Sequence, residues 1–587
     1  MNIKEEDNQI INNIINLFKP FKWKIVLVIL CITISSGLSA LTPLVNQQLM
    51  DEGLIAKNLR IIITYSIYNL ILITVIQGLG VIETKYRSYI ESLLSFNLEM
   101  KAFRHTLKLK MSFFWNTNST EIMNNLRTDI SNISQIADQS TFYIVTSIFR
   151  IIAGITGLIT INWRLCFLVI IVTPIRYLVV RYLAKGRKTL FESFINNLED
   201  YSNWYGDTIG GIKEIKISGL DTLKIGQFIK KQKNIIKQNI KISYLGKANE
   251  ISETVFTQAI TTLIYIIGGY MIIGQTLTVG KLFAFITYSS YVTGPIFAIM
   301  NIGYSFASVI PSAKRYFEFM DMETENGARK KTSQKLNSNE VFGTLEFKNV
   351  EFSYNDKESV LKNISFKIDA GEKVAIIGSN GSGKTTVINL LLRFLTPDSG
   401  NIFLDGKDIN SLNLKEYRNL ISVVSQDVYL FNSTIRENII LNSKKTDIEM
   451  YSAVRKSGAY KFIEEISNKY ENIVGERGSK LSGGERQKIA VARAFIRDSK
   501  ILVLDEATAN YDIEAEYQVN NIIRETHEGK TIIIISHKPD ILSKVDKIIV
   551  INHGVIEDIG NHLELYNRNE FYKEMVNTPS DAMYTSY

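Results

Sequence analysis

The sequence predicts an all-α domain that crosses a membrane six times, followed by an α/β domain organised around a phosphate-binding loop. Nearly all long apolar runs of the 587-residue chain precede residue 310. Six of them, at about 25–45, 61–82, 140–161, 165–183, 255–274 and 282–307, approach the roughly 20 residues that span a bilayer. Runs such as 25–32 and 165–173 lack the polar face that a helix of a soluble bundle keeps. Further on, Val374, Ala375, Ile376 and Ile377 read as a buried strand, a glycine-rich turn follows, and residues 387–392 open a helix. The mean hydropathy of +0.03 therefore averages two unlike halves.

In chain order, Glu5, Glu6 and Asp7 argue against a transit peptide, and no short apolar stretch with a cleavage site follows. Ile10, Ile11, Ile14, Ile15 and Phe18 recur at helical spacing opposite Asn12, Asn13 and Asn16, which predicts an interfacial helix over residues 1–20. Lys19, Lys22, Trp23 and Lys24 form a basic, aromatic entry to the first span. By the positive-inside rule this puts the N-terminus in the cytoplasm. Across the membrane domain, residues 21–320, the links after spans one, three and five are short. Those after spans two and four are long, basic and helical in period, so they belong inside as continuations of the spans. The net charge of +8 matters less than where it sits. Cys31 and Cys166 each lie in an apolar run and read as core residues, not as a disulfide. Residues 321–342, with Arg329, Lys330 and Lys331 and no apolar period, read as a linker. Strand and helix signals from residue 343 to about 575 place the α/β domain at 343–587.

The turn after Ile377 reads Gly378, Ser379, Asn380, Gly381, Ser382, Gly383, Lys384, Thr385, Thr386. Its glycines let backbone amides and a helix N-terminus hold the α- and β-phosphates of a nucleotide. Lys384 then reaches the β- and γ-phosphates, and the Thr385 hydroxyl takes Mg²⁺. A second apolar strand, Ile501 to Leu504, ends in Asp505 and Glu506. Asp505 suits the metal and Glu506 the base that activates water.

Between the two lies Leu481, Ser482, Gly483, Gly484, Glu485, and here the chain resembles the ATP-binding cassette family. The resemblance to its exporter branch extends over essentially the whole chain and implies the remaining roles. Ser482, Gly483 and Gly484 would bind the γ-phosphate on the opposite subunit, so two cassettes are implied: a homodimer by economy, with a heterodimer left open. Tyr354 matches the aromatic that stacks on adenine, and Gln426 the glutamine that touches Mg²⁺ and water. His537 matches the histidine on the γ-phosphate, and Asp512 the aspartate after the catalytic carboxylate. Residues 474–478 resemble the loop that meets coupling helices, for which 115–129 and 205–214 occupy the corresponding places. Two stretches depart from the family pattern, Asn510-Tyr511 before Asp512 and Ser536-His537-Lys538, and neither removes the catalytic carboxylate. The expected activity is ATP hydrolysis with Mg²⁺, coupled by alternating access to export of a peptide, lipid or hydrophobic drug. A flippase and an ATP-gated sensor are the alternatives. The expected setting is the bacterial cell membrane, with the cassette in the cytoplasm. Six spans argue against a soluble cassette that clamps nucleic acid, fusion in this order against an importer, and the short N-terminus against a peptidase-exporter.

One reading rests on charge alone. The turn at Asn162-Trp163 makes a hairpin of spans three and four. Arg150 lies twelve residues before Asn162 and Arg176 twelve after Arg164, hence both roughly 18 Å below that turn at 1.5 Å per residue. Neither span offers an acid. Two buried arginines at one depth predict a basic belt in a substrate cavity, suited to a cargo with an anionic group.

Overall fold

The computed structural model describes residues 3–117, 119–137, 139–325, 336, 340–354, 359–441, 443, 445–497, 499–505, 529–536 and 538–577. It divides into two compact units: Met1–Leu107 with Asn118–Met322, and Lys108–Thr117 with Glu323–Tyr587. A ten-residue segment from within the expected membrane domain thus belongs with the second unit.

The first unit is all helix. α1 (Ile3–Phe18) buries Ile10 and Ile14 and leaves Ile11 and Ile15 exposed. It packs on α10, defined below. α2 (Lys22–Gln48) is followed by a π-helical turn, Leu49–Ile55. α3 (Leu59–Thr106) starts where the Asn58 side chain accepts from the Ile61 amide. Its 48 residues run roughly 70 Å, more than twice a bilayer's hydrocarbon thickness. The short α4 (Met111–Asn116) belongs to the second unit and begins four residues before the coupling element expected at Trp115. α5 (Ser119–Ser134) precedes α6 (Gln139–Gly210), which is broken at Asn162 (φ −162°, ψ 106°). There the Asn162 side chain accepts from the Arg164 and Leu165 amides and caps the helix that follows. α7 (Ile212–Ile217) and α8 (Asp221–Ile273) come next. The last predicted pass is split into α9 (Val279–Thr293) and α10 (Pro295–Asp321), because Pro295 has no N–H to continue the helix.

Among the described residues four stretches are long and apolar enough to cross a membrane: Asn8–Ile55, Leu59–Thr106, Phe142–Arg176 and Asp221–Ile273. The third holds the Asn162 break and so carries two of the predicted passes. Without a hydrophobic drive between helices in lipid, close contact falls to small residues. A Cβ on Gly157 would meet the Tyr288 ring at 2.6 Å, and one on Gly268 the Leu282 side chain at 2.3 Å. Around them Leu158, Cys166 and Val169 pack on Ile260, Ile264 and Phe285. Both cysteines are buried and free.

The second unit holds two sheets. β1 (Leu345–Ser353), β2 (Ser359–Ile368), β4 (Ser399–Leu404) and β5 (Lys407–Asp408) form an antiparallel sheet in the order β2-β1-β4-β5. β3 (Lys373–Ile377), β6 (Ile421–Val424), β7 (Ile501–Asp505), β8 (Thr531–Ile535), β9 (Lys547–Asn552) and β10 (Val555–Gly560) form the second, ordered β10-β9-β3-β8-β7-β6. It is parallel from β9 to β6, as expected of strands buried on both faces. α11 (Lys384–Leu391) leaves β3 and packs with the first sheet into one core, while α12 (Leu414–Asn419) leads into β6. A separate helical lobe joins α13 (Ile435–Ile440), α14 (Asp447–Lys456), α15 (Tyr460–Glu465) and α16 (Gly483–Ile496) around Ile439, Val454 and Ile489.

Candidate nucleotide-binding site

Parallel strands end on the same side, so register decides which loops meet. β3 aligns Ile376 with Ile535 of β8, β8 aligns Ile535 with Asp505 of β7, and β7 aligns Leu504 with Val424 of β6. The loop after β3, Asp505, and Gln426 two residues past β6 therefore lie along one carboxyl edge of the sheet, where open α/β sheets place their ligands. Asp505 is half-buried and Gln426 exposed. Glu506, Asp512 and His537 lie outside the described residues.

The loop itself is a cradle that only glycine permits. A Cβ on Gly378 (φ +155°) would sit 1.9 Å from the Ile551 carbonyl oxygen, and one on Gly383 (φ +105°) 2.5 Å from Leu361. The chain turns tightly, with the Ser382 amide donating to the Ser379 carbonyl at 3.2 Å, and α11 begins at Lys384. Asn380 and Gly381 are exposed at the tip. Lys384 is 7% exposed, and its Nζ donates to the carbonyls of Gly378 (2.8 Å) and Ser379 (2.9 Å), so the ammonium is held over the loop. Ser382 is buried, and its hydroxyl finds no partner among the described residues. A backbone-lined hollow with a fixed ammonium, a spare hydroxyl and a helix N-terminus fits a polyphosphate. Thr385 is exposed on the first turn of α11, whereas Thr386 is buried and shares a 3.2 Å hydrogen bond with the Tyr354 hydroxyl. That contact puts the Tyr354 ring, 48% exposed, beside the loop, where an aromatic can stack on a base. Mg²⁺ needs few protein oxygens when phosphates and water supply the rest, and the hydroxyl, amide and carboxylate of Thr385, Gln426 and Asp505 suit it.

The signature stretch is built differently. Ser482 caps α16 in a reciprocal box: its hydroxyl accepts from the Glu485 amide at 3.4 Å, and the Glu485 carboxylate accepts from the Ser482 amide at 2.7 Å. Ser482 is exposed, and residues 482–484 share no hydrogen bond with the loop at 378–386 among the described residues. One residue that sequence reading missed ties this helix to the loop after β6 that carries Gln426. Arg493 donates from Nε to the Asn438 carbonyl (2.7 Å) and from Nη1 to the Tyr429 carbonyl (2.9 Å), three residues past Gln426. Burial pulls its pKa down to about 10. A lone arginine on an amphipathic helix carries no sequence signal for such a role.

In the membrane unit, Arg150 lies 5.9 Å from the Tyr291 ring, and Arg176 donates to the Thr293 carbonyl. Their contacts are two residues apart on α9, so the two arginines sit at one level. Arg176 is 1% exposed and faces no open space here; its counter-charge is Glu253 of α8, 3.1 Å away, supplied by the fifth span and not by the third or fourth. Arg150 is half-exposed.

Comparison with known proteins agrees with this architecture. The profile described as ABC transporter matches residues 361–509, and that described as ABC transporter transmembrane region matches residues 25–296. An ATP-dependent lipid A-core flippase of Alcanivorax borkumensis is 28% identical, with 96% of each chain covered. One of Wigglesworthia glossinidia brevipalpis is 30% identical, covering 95% of this chain and 96% of that one. A solved structure of a bacterial Atm1-family ABC exporter with ATP bound superposes with a TM-score of 0.80 at 23% identity, over 96% of this chain and 99% of that one. The chain therefore belongs to the ABC transporter family, as a half-transporter of the exporter type whose ATPase is coupled to transport.

Proposed function

We propose that two copies of this chain pair head to tail, so that each phosphate loop is completed by the partner's 482–484 segment. The observation that carries this is the separation just described: one chain holds two exposed anion-binding ends, on α11 and α16, built on different cores and not bonded to each other. Lys384 and the loop amides bind the phosphates of ATP, Tyr354 stacks on the base, and Gln426 orients water. Glu506 takes the proton of the attacking water, with His537 and Asp512 beside the γ-phosphate. Mg²⁺, held by Thr385, Gln426 and Asp505, offsets the phosphate charge when bound. Pairing around ATP gains contacts that only the closed form offers, and hydrolysis removes them, which drives the spans between two accessibilities.

The cassettes face the cytoplasm of a bacterial cell membrane, on the strength of the basic long loops. The cargo is an amphipathic lipid with an anionic group. The names of the lipid-flippase relatives support this, as does Arg150, half-exposed within the spans at the level of Arg176. Arg150→Ala should abolish stimulation of turnover by an anionic lipid and leave basal turnover intact; equal stimulation would refute the cargo assignment.

Complementation tests the pairing. Ser482→Ala on one chain and Lys384→Ala on the other damage the same composite site in a mixed dimer and leave the second intact. Each variant alone should be inactive, and a 1:1 mixture should regain up to about a quarter of parental turnover, since half the dimers are mixed and each keeps one of two sites. No recovery on mixing, or full activity of a monomer, would overturn the arrangement. Glu506→Gln should keep ATP binding and lose about 10²–10⁴-fold in turnover.

A further inference from the structure

The segment Lys108–Thr117, which lies in sequence between two helices of the membrane unit, is tied into the second unit at one edge. Leu109 pairs with Thr324 in an antiparallel bridge, and the Glu325 amide donates to the Lys108 carbonyl at 2.8 Å. Lys110 is also paired with Glu323. Glu325 is therefore fixed in the backbone beside α4, in a stretch that its composition marks as linker.

Its carboxylate accepts two hydrogen bonds from Arg418 of α12, from Nη1 and Nη2, both at 2.9 Å. This is the planar fork geometry that makes an arginine–carboxylate pair directional. The two side chains are 25% and 19% exposed, so water competes little. Arg418 does not stop there. Its Nε donates to the Leu392 carbonyl at 3.0 Å, its Nη2 reaches the Arg393 carbonyl at 3.2 Å, and the guanidinium lies 4.7 Å from the Phe394 ring. Leu392 is the C-cap of α11, the helix whose other end forms the phosphate cradle. A cation on those last carbonyls satisfies acceptors that the helix cannot and complements its dipole.

We propose that Arg418 and Glu325 form a positioning clamp that makes the phosphate-loop helix and the 108–117 segment move as one body. Neither residue touches nucleotide. α11 is eight residues long and rigid over that length, so a shift at its phosphate end is carried to Leu392. From there it passes through two hydrogen bonds to Arg418, two to Glu325, and one backbone bond to Lys108. Because 108–117 is continuous with α3 and α5, it is the place where movement of the cassette is handed to the membrane helices. The inference rests on the ATPase being coupled to transport and concerns how that coupling is transmitted.

Hydrogen exchange on the full-length protein in lipid nanodiscs tests it, with Mg-ATP plus orthovanadate as the probe. In the parent, nucleotide slows amide exchange both at the end of α11 and at residues 108–116, and turnover is measurable. These parental readings report on the ATPase reading itself and stand apart from the clamp. In Glu325→Ala the α11 response should persist and the KM for ATP stay within about twofold, while the response at 108–116 falls at least about fivefold. Glu325→Gln, which keeps shape and one acceptor oxygen, and Arg418→Lys, which keeps charge without the fork, should each fall between the two. An unchanged response at 108–116 in Glu325→Ala would overturn the proposal. So would loss of the α11 response in both Glu325→Ala and Glu325→Gln, which would make the pair a structural brace for the whole unit.

Discussion

The buried ion pair in the membrane unit predicts an asymmetry that intuition reverses. Arg176 is 1% exposed and Glu253 32%, yet removing Glu253 should be the more damaging change. Without Glu253 the guanidinium stays buried with the Thr293 carbonyl as its remaining hydrogen-bond partner among the described residues, and an uncompensated buried charge typically costs about 3–5 kcal/mol. Two features reduce that figure. Glu253 is partly exposed, and the 3.1 Å contact is close without being aligned as a hydrogen bond. We therefore expect Glu253→Ala to cost about 2–3 kcal/mol, a factor of roughly 30 to 150 in the unfolding equilibrium. Arg176→Met instead replaces the ion by an apolar chain of similar length and leaves a carboxylate that can reach water, so its cost should be smaller. The double variant Arg176→Met/Glu253→Gln should recover most of the loss. The assay is SDS-induced unfolding of the intact protein in mixed micelles, analysed as a double-mutant cycle. A cost below about 1 kcal/mol for Glu253→Ala, or a larger cost for Arg176→Met, would refute the reasoning.

Three shorter predictions follow from the geometry. Gly378→Ala should abolish ATP binding with the protein still folded, because the new methyl would lie 1.9 Å from the Ile551 carbonyl and force the loop off its cradle; nucleotide titration by fluorescence checks it. Gly157→Ala should lower the thermal stability of the membrane unit, since its Cβ meets the Tyr288 ring at 2.6 Å, whereas Gly246→Ala, with nothing within 4 Å, should not. The carboxyl of Glu449 is held at about 2 by Lys445 and then by the Thr446 amide and hydroxyl, below its ordinary 4.5. A depressed carboxyl stabilises above its unfolded value and loses that effect as pH falls, so parent and Glu449→Gln should differ in melting temperature at pH 6 and converge as pH drops from about 4.5 to 2.

What could be read from residues alone was whatever function demands of local spacing. The cradle at 378–386 was legible because glycine is required where a Cβ would collide, whereas the capping box of Ser482 and Glu485 that starts α16 came to light only in the fold. The shared level of two side chains was legible too: counting outward from the Asn162-Trp163 turn put Arg150 and Arg176 opposite each other, and both meet α9 within two residues of each other. Partners far along the chain were not. The pairing of β1 with β2 is interrupted at Asn349 and Asn363, both at positive φ, where the register shifts by a bulge that no propensity marks. α4 escaped because six residues without chemistry leave little periodicity.

The stretch from residue 321 shows most clearly why such residues stay hidden. Charged residues without apolar period are rightly read as solvated linker, since an isolated carboxylate gains nothing by burial. Glu325 escapes that rule because the chain, on leaving α10, is laid beside Lys108 on one side and Arg418 on the other. Those neighbours come from positions more than two hundred residues before it and about ninety after it. Only the assembled fold supplies both, so charge in a linker becomes informative once its backbone is found to be hydrogen-bonded and its side chain doubly satisfied. The same two observations, sought in other stretches that read as connectors, would separate solvated spacers from parts of the transmission.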